Sequence, residues 1–363
     1  MFHQLPTPGI LIDAAIVRRN LDRMSSYVRS HGLGLRPHTK THKSTRLAAM
    51  QMKAGAIGLT VAKVGEAMIM AGETDDVLMA YPPVHPGRCR ELAQLAQKKT
   101  LRVGLDSTVA ADSLASSARE AGSTIGVLVD LDVGHHRTGV QSTSEALTLA
   151  QHVSHATGLR FDGLMFFPGH LSHGPPQAMA DGMTAVNAIL EEVLDAWKRA
   201  GLEARIVSGG STPTALQSHR IHGLSEIRPG TYIFNDMNSV RCGCATLDDC
   251  AARVLATVVS TAIPGQIVLD AGSKTLTSDR CGPAPESGHG YIPEYPQAKI
   301  TKLSEEHAQV DITACDSAPK VGEVVSVVPN HICPCINLQD AVWWQEPGEA
   351  PAPIPIEARG KSF

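Results

Sequence analysis

No apolar run in the 363 residues reaches the roughly 18 to 20 residues needed to span a bilayer, so no membrane partner is expected. The first residues, Met1-Phe2-His3-Gln4-Leu5-Pro6, lack a charged segment followed by an apolar one, and no signal peptide is expected from them. A net charge of -4 offers no basic excess, which argues against a nucleic-acid surface. Eight cysteines over this length are too sparse for a disulfide framework. Reduced thiols in a cytoplasmic enzyme are the simpler expectation. No internal repeat is present, and no Gly-rich dinucleotide fingerprint follows the first strand-like run.

What is present is alternation. Eight short apolar runs occur between Leu33 and Tyr232: Leu33–Arg36, Gly58–Val61, Asp76–Met79, Leu101–Leu105, Ile125–Leu131, Leu159–Phe166, Arg205–Val207 and Leu224–Ile227. Helix-like segments separate them, among them Lys63–Ala71, Val109–Ala121 and Ala178–Ala200. Strand–helix alternation on this scale predicts a parallel sheet, and eight units is the count of a TIM-type (β/α)8 barrel. Beyond Cys244 short β-like runs alternate with Pro, Gly, Asp and Ser. The expectation is an α/β barrel over residues 11–245 followed by a smaller all-β domain over 246–363, with residues 1–10 packing on the latter. The Pro-rich tail from Pro347 to Pro355 reads as an irregular surface strap.

In such a barrel chemistry gathers at the C-terminal ends of the strands. Arg36-Pro37-His38-Thr39-Lys40-Thr41-His42-Lys43 follows the first run. A lysine there, amid other basic groups, is a candidate Schiff-base lysine, because burial and neighbouring positive charge favour the free amine. A solvated basic turn is the simpler alternative. Asp132-Val133-Gly134-His135-His136-Arg137-Thr138-Gly139 follows the fifth run and Gly169-His170-Leu171-Ser172-His173 the sixth. Ser208-Gly209-Gly210-Ser211-Thr212 follows the seventh and Arg228-Pro229-Gly230-Thr231-Tyr232 the eighth. Glycines and hydroxyls ahead of a helix N-terminus can hold a phosphate, although Ser208–Thr212 also reads as a tight turn with a helix cap. A lysine after strand one and phosphate loops after strands seven and eight together point to pyridoxal 5'-phosphate. In the β region, Pro329-Asn330-His331-Ile332-Cys333 places an imidazole and a thiol two residues apart. On an extended strand both would face one side and suit a divalent metal such as zinc; packing residues on a half-buried strand are the alternative. Cys242-Gly243-Cys244 is a weaker rival pair and reads as incidental.

Taken in order, RPHTKTHK, DVGHHRTGV, SGGSTPT, EIRPGTY and PNHIC resemble the D-threonine aldolase and D-serine dehydratase group of fold-type III pyridoxal-phosphate enzymes. The similarity runs from Thr7 to Asp340. It implies an alanine-racemase-like barrel followed by a β domain. It implies that Lys40 carries the cofactor, that Arg137 lies near its phenolic oxygen, and that Gly210, Ser211, Thr212, Gly230 and Thr231 hold the phosphate with Tyr232 close by. It makes His331 and Cys333 ligands of a divalent metal, Zn or Mn, that gathers the substrate's β-hydroxyl. It also implies a homodimer.

Within the group, Phe167-Pro168-Gly169-His170-Leu171-Ser172-His173 resembles the aldolases' aromatic-x-Gly-His-x-x-His loop, whose last histidine, here His173, is the base on the β-hydroxyl. Aldolases typically carry tyrosine where this chain has Phe167. His-x-Cys resembles the dehydratases instead, the aldolases typically showing His-x-Asp. The leading expectation is retro-aldol cleavage of D-β-hydroxy-α-amino acids to glycine and an aldehyde. The alternative is dehydration of D-serine or D-3-hydroxyaspartate to a 2-oxo acid and ammonia. A racemase is less favoured, because none of the five tyrosines matches the motif of the two-base racemases. A non-catalytic cofactor-binding protein would be a bare barrel and would not need the β domain.

Overall fold

The structure is a computed structural model that describes residues 5–172, 176–280 and 288–363. The chain opens with β1 (Gly9–Asp13) and α1 (Ala14–Ser30). Asp13 starts the helix: its Oδ1 accepts the N–H groups of Ala15 at 2.9 Å and Ile16 at 3.0 Å, two of the donors a helix leaves unpaired.

Eight parallel strands follow: β2 (Gly34–Leu35), β3 (Leu59–Val61), β4 (Asp76–Met79), β5 (Thr100–Leu105), β6 (Ile125–Leu131), β7 (Leu159–Phe166), β8 (Ile206–Gly209) and β9 (Glu226–Ile227). They pair in the order β2-β9-β8-β7-β6-β5-β4-β3. The two ends of that order meet. Ile57 N–H donates to Leu35 O at 2.8 Å, Thr60 N–H to Pro37 O at 2.9 Å, and His38 bridges Thr60. The sheet therefore closes into the barrel expected from the eight-fold alternation. All seven residues of β6, Ile-Gly-Val-Leu-Val-Asp-Leu, are buried, as a strand covered on both faces must be. Helices α2 (Thr45–Lys53), α3 (Val64–Met70), α4 (Pro86–Leu95), α5 (Thr108–Ala121), α6 (Thr143–His155) and α7 (Pro176–Arg199) follow the first six of these strands. In α7, Met183, Val186, Leu190, Val193 and Trp197 recur at steps of three and four and are all buried, so one stripe of the helix faces the core. Trp197 meets Phe161 of β7 edge-on, with centroids 5.0 Å apart.

The barrel interior also holds a charge network. Arg36 Nε lies 3.0 Å from Glu226 and its Nη1 2.7 Å from Asp76. Arg102 donates to Asp76 at 2.5 Å and to Asp162 at 2.9 Å. Arg36 is thus buried and paired inside the barrel, rather than part of a solvated basic turn.

The second compact unit comprises residues up to Asp22, Thr41–Lys43 and Thr231–Gly360, the barrel unit taking Arg23–Lys40, Ser44–Gly230 and Lys361–Phe363. Beside β1, its elements are α8 (Met237–Arg241), β10 (Ala252–Ser260), β11 (Gln266–Leu269), α9 (Ser273–Leu276), β12 (Lys299–Leu303), β13 (Ala308–Asp311), β14 (Val324–Val327), α10 (Ile332–Asn337), β15 (Ala341–Gln345) and β16 (Ala352–Pro355). Its sheet runs β12-β13-β11-β10-β1-β15-β16, with β14 also on β10. β1 thus pairs antiparallel with β10 and parallel with β15.

Two readings from the sequence are corrected. The tail is not an irregular strap: β16 pairs antiparallel with β15, and Ile354 opposite Val342 is buried. Pro353 and Pro355 are tolerated because β16 is the last strand of the sheet, where a missing N–H leaves no ladder partner unpaired. The second correction is that residues 331–333 are not a strand. His331 is the extended residue that caps α10, and Ile332 and Cys333 are its first two helical residues. Pro334 fits the first turn because the first N–H groups of a helix have no partner within it.

Candidate functional site

Lys40 sits on a single 3-10 turn, Thr39–Thr41, beyond the C-terminal end of β2. The turn is tied down on both sides. Thr39 Oγ1 donates to Thr60 O at 3.2 Å, and Thr60 Oγ1 to Arg36 O at 2.8 Å. Lys40 is exposed, whereas Lys43 is buried in a left-handed conformation. The buried lysine expected from the sequence is thus not seen at Lys40, which is exposed.

The loops after the first, seventh and eighth strands are joined by backbone hydrogen bonds. His38 N–H donates to Pro229 O and Arg228 N–H to Gly209 O, each at 3.0 Å. The turn after β8 is close-packed. A Cβ on Gly209 would stand 2.2 Å from the Phe166 ring, and Gly210 has φ +83. Ser211 is buried, its N–H and hydroxyl both 3.1 Å from Thr214 Oγ1. Thr212 is half-buried. The element that follows is a six-residue 3-10 helix, Ala215–Arg220, not the α-helix expected there. An anion at this turn would therefore rely on hydroxyls and close backbone rather than on a helix dipole. Gly230, buried, ends the long segment of the barrel unit; Thr231 and Tyr232, in a 3-10 turn, begin the next segment of the second unit.

Asp132 organises the loop after β6. Its Oδ1 accepts the N–H groups of Gly134, His135 and His136 at 2.9–3.0 Å, and its Oδ2 lies 2.8 Å from His136 Nδ1. Burial works against the anion, but these N–H donors and the Gln141 side chain outweigh it and hold the carboxyl down at about 2. The anchored loop presents Arg137, whose guanidinium lies 4.6 Å from the centroid of the Phe167 ring, and His135, edge-on to the same ring at 5.1 Å. The His170 ring approaches Gly134 so closely that a Cβ there would stand 3.3 Å from it. Partial burial, together with the charges of neighbouring basic groups, keeps His135 and His170 below the usual imidazole range. His173 lies outside the described residues.

The sequence reading did not single out Arg228. Its guanidinium is buried, donating to Ser208 Oγ at 2.6 Å and Phe166 O at 2.8 Å. Burial lowers it to about 10 against the pull of Glu226 and Asp130. Nothing in the linear pattern distinguishes this arginine from a solvated one.

In the second unit, His331 Nδ1 lies 2.7 Å from Asp279 Oδ2. Burial disfavours the charged imidazole, but Cys333, Asp279 and Asp236 overcome it and raise His331 to about 9. Cys333 is buried, its sulfur 3.2 Å from Thr41 Oγ1 and 3.6 Å from Thr231 Oγ1. Asp236 fixes the segment by accepting Ile332 N–H at 3.1 Å. A carboxylate on one imidazole nitrogen is the arrangement that orients a metal-ligating histidine, and a thiolate beside it suits zinc. Among the described residues, no cluster of three or more His, Cys, Asp or Glu side chains is placed to hold a metal, so this pair would leave positions open.

A strand-end lysine with a Gly-Gly-Ser-Thr turn on one barrel fits an aldehyde-bearing phosphate cofactor, and comparison with known proteins agrees. The alanine racemase N-terminal domain family matches residues 12–238 and the putative serine dehydratase domain matches residues 251–344. The chain is 34% identical to D-threo-3-hydroxyaspartate dehydratase of Delftia sp. (strain HT23), with 91% of each chain covered. It is 30% identical to D-threonine aldolase of Arthrobacter sp., covering 99% of this chain and 94% of that one. The crystal structure of D-threonine aldolase from Filomicrobium marinum superposes with a TM-score of 0.92 at 30% identity, covering 99% of this chain and 98% of that one. The chain belongs to the alanine racemase N-terminal domain family, within the D-threonine aldolase and D-serine dehydratase group of fold-type III pyridoxal-phosphate enzymes. Its relatives there are lyases of both kinds, aldolase and dehydratase. No helix among the described residues is long and apolar enough to cross a membrane.

Proposed function

We propose that this protein is a pyridoxal-phosphate- and divalent-metal-dependent lyase that cleaves D-β-hydroxy-α-amino acids to glycine and an aldehyde. The reading is supported by a barrel-end lysine in one unit and, in the other, a His–Cys pair whose imidazole lies against Asp279. Bound pyridoxal phosphate supplies an electron sink for charge developing at Cα. A divalent ion supplies a Lewis acid for the β-hydroxyl.

The chain's own residues do the rest. Lys40 attaches the cofactor and moves the proton at Cα. Gly210, Ser211, Thr212, Gly230 and Thr231 hold the phosphate, with Tyr232 alongside, and Arg137 faces the phenolic oxygen. His331 and Cys333 hold the metal, and His173 takes the β-hydroxyl proton. A homodimer follows from the family analogy alone.

A second reading has a specific observation behind it: Cys333 and Phe167 depart from the aldolase pattern. Under that reading the same groups expel the β-hydroxyl and give a 2-oxo acid and ammonia. Product analysis of the holoenzyme with D-threonine, D-serine and D-3-hydroxyaspartate, with and without chelator, tests the proposal. Acetaldehyde and glycine from D-threonine support it; 2-oxobutyrate and ammonia in their place overturn it.

A further inference from the structure

We infer that Cys242 and Cys244 form a redox-active dithiol that closes to an intramolecular disulfide by exchange with a small-molecule disulfide. The pair is built by the end of α8. Cys244 N–H donates to Ser239 O at 3.1 Å and Gly243 N–H to Val240 O at 3.0 Å, the two hydrogen bonds of a Schellman cap. Gly243 supplies the left-handed residue of that cap, with φ +75. The cysteines flank it, and the reversal of the chain brings their sulfurs to 3.2 Å. Both sulfurs also lie 3.3 Å from the same acceptor, Ser239 O. Closing an S–S bond of about 2.05 Å needs about 1.2 Å of approach, within side-chain reach.

Access and chemistry agree with the geometry. Gly243 is exposed, a Cβ on it would meet nothing within 4 Å, and both cysteines are half-buried. The two sulfurs are in hydrogen-bond contact, and that contact holds Cys242 below the ordinary thiol range while, together with burial, it pushes Cys244 up. Cys242 is therefore the attacking sulfur. Its thiolate attacks one sulfur of the incoming disulfide, whose S–S bond breaks and releases one thiolate. The Cys244 sulfur, giving up its proton, then attacks the Cys242 sulfur of the mixed disulfide and expels the second thiolate. Two protein thiols are oxidised by two electrons. The reagent is reduced to two thiols, which take up the two protons.

The test uses the holoenzyme and oxidised glutathione, followed by alkylation and peptide mass spectrometry. The expected product is a peptide two hydrogens lighter that carries a Cys242–Cys244 bond and is restored by dithiothreitol. Cys244→Ser should stop at a glutathione adduct on Cys242. Alkylation of both cysteines in wild type while other thiols are glutathionylated would overturn the inference. So would pairing of either with a different cysteine, or a Cys244→Ser variant that stays unmodified at Cys242.

Discussion

The loop after β6 and the segment at the start of α10 both carry proposed functional side chains, but they are held in opposite ways. In the loop, one buried carboxylate, Asp132, gathers three backbone N–H groups, so Arg137 and His135 are positioned by main chain. In the segment, His331 is positioned through its own ring by Asp279, and Asp236 accepts Ile332 N–H. Main-chain anchoring leaves the side chains free to meet a ligand. Side-chain anchoring orients the ring itself, here against Asp279 and Cys333. The first suits a group that must grip a cofactor, and the second a group that must present a lone pair to a metal.

The largest effect should come from the barrel side. Lys40→Ala is expected to abolish both the visible cofactor absorbance and turnover, because Lys43 is buried and Lys40 is exposed at the strand ends. Absorbance spectra of the two alanine variants decide it: loss of the band in Lys43→Ala and its retention in Lys40→Ala would move the lysine assignment.

A smaller effect is expected at His173. His173→Asn should lose ~10² to 10⁴-fold of aldehyde release, the range of a lost general base, while exchange of the Cα proton of D-alanine with solvent survives. Deuterium incorporation followed by NMR reports the second activity. Parallel loss of both, with cofactor still bound, would remove His173 from the role of base.

The smallest effect concerns Asp132 and sharpens the contrast between main-chain and side-chain anchoring. Its folded-state carboxyl, at about 2, lies below the ordinary aspartate value of about 3.9, so its stabilisation is complete above that value and is lost as pH falls toward 2. Asp132→Asn should cost about 1.5–3 kcal/mol at pH 7, the range for hydrogen bonds to a charged group, and the gap from wild type should narrow below about pH 4. Urea midpoints at pH 7 and at pH 3 measure both. A gap that does not change with pH would mean the anion is not what holds the loop.

How much of this was legible in the sequence follows from the same physics. β4, β6 and β7 occupy the expected residues because apolar runs stand between strong breakers or charged turns. The pattern of β1, Gly-Ile-Leu-Ile-Asp, does not alternate, because the strand is buried almost throughout between β10 and β15, and it was not counted as a strand. Residues 331–333 read as extended in the sequence, whereas in the structure they begin α10, whose first turn accommodates Pro334. Site residues on Gly-rich loops could be seen from their composition. The burial of Arg36 and Arg228 depends on contacts that no local pattern encodes.

The central claim is that the two regions do separable work, the barrel serving the cofactor and the Cα proton and the His331–Cys333 pair serving the β-hydroxyl. The most direct measurement compares three signals in wild type, chelator-treated protein and His331→Ala: cofactor absorbance, Cα exchange of D-alanine, and aldehyde release from D-threonine. Absorbance and exchange are expected to persist while aldehyde release falls by orders of magnitude. Loss of all three together, or full aldehyde release from metal-free protein, would contradict it.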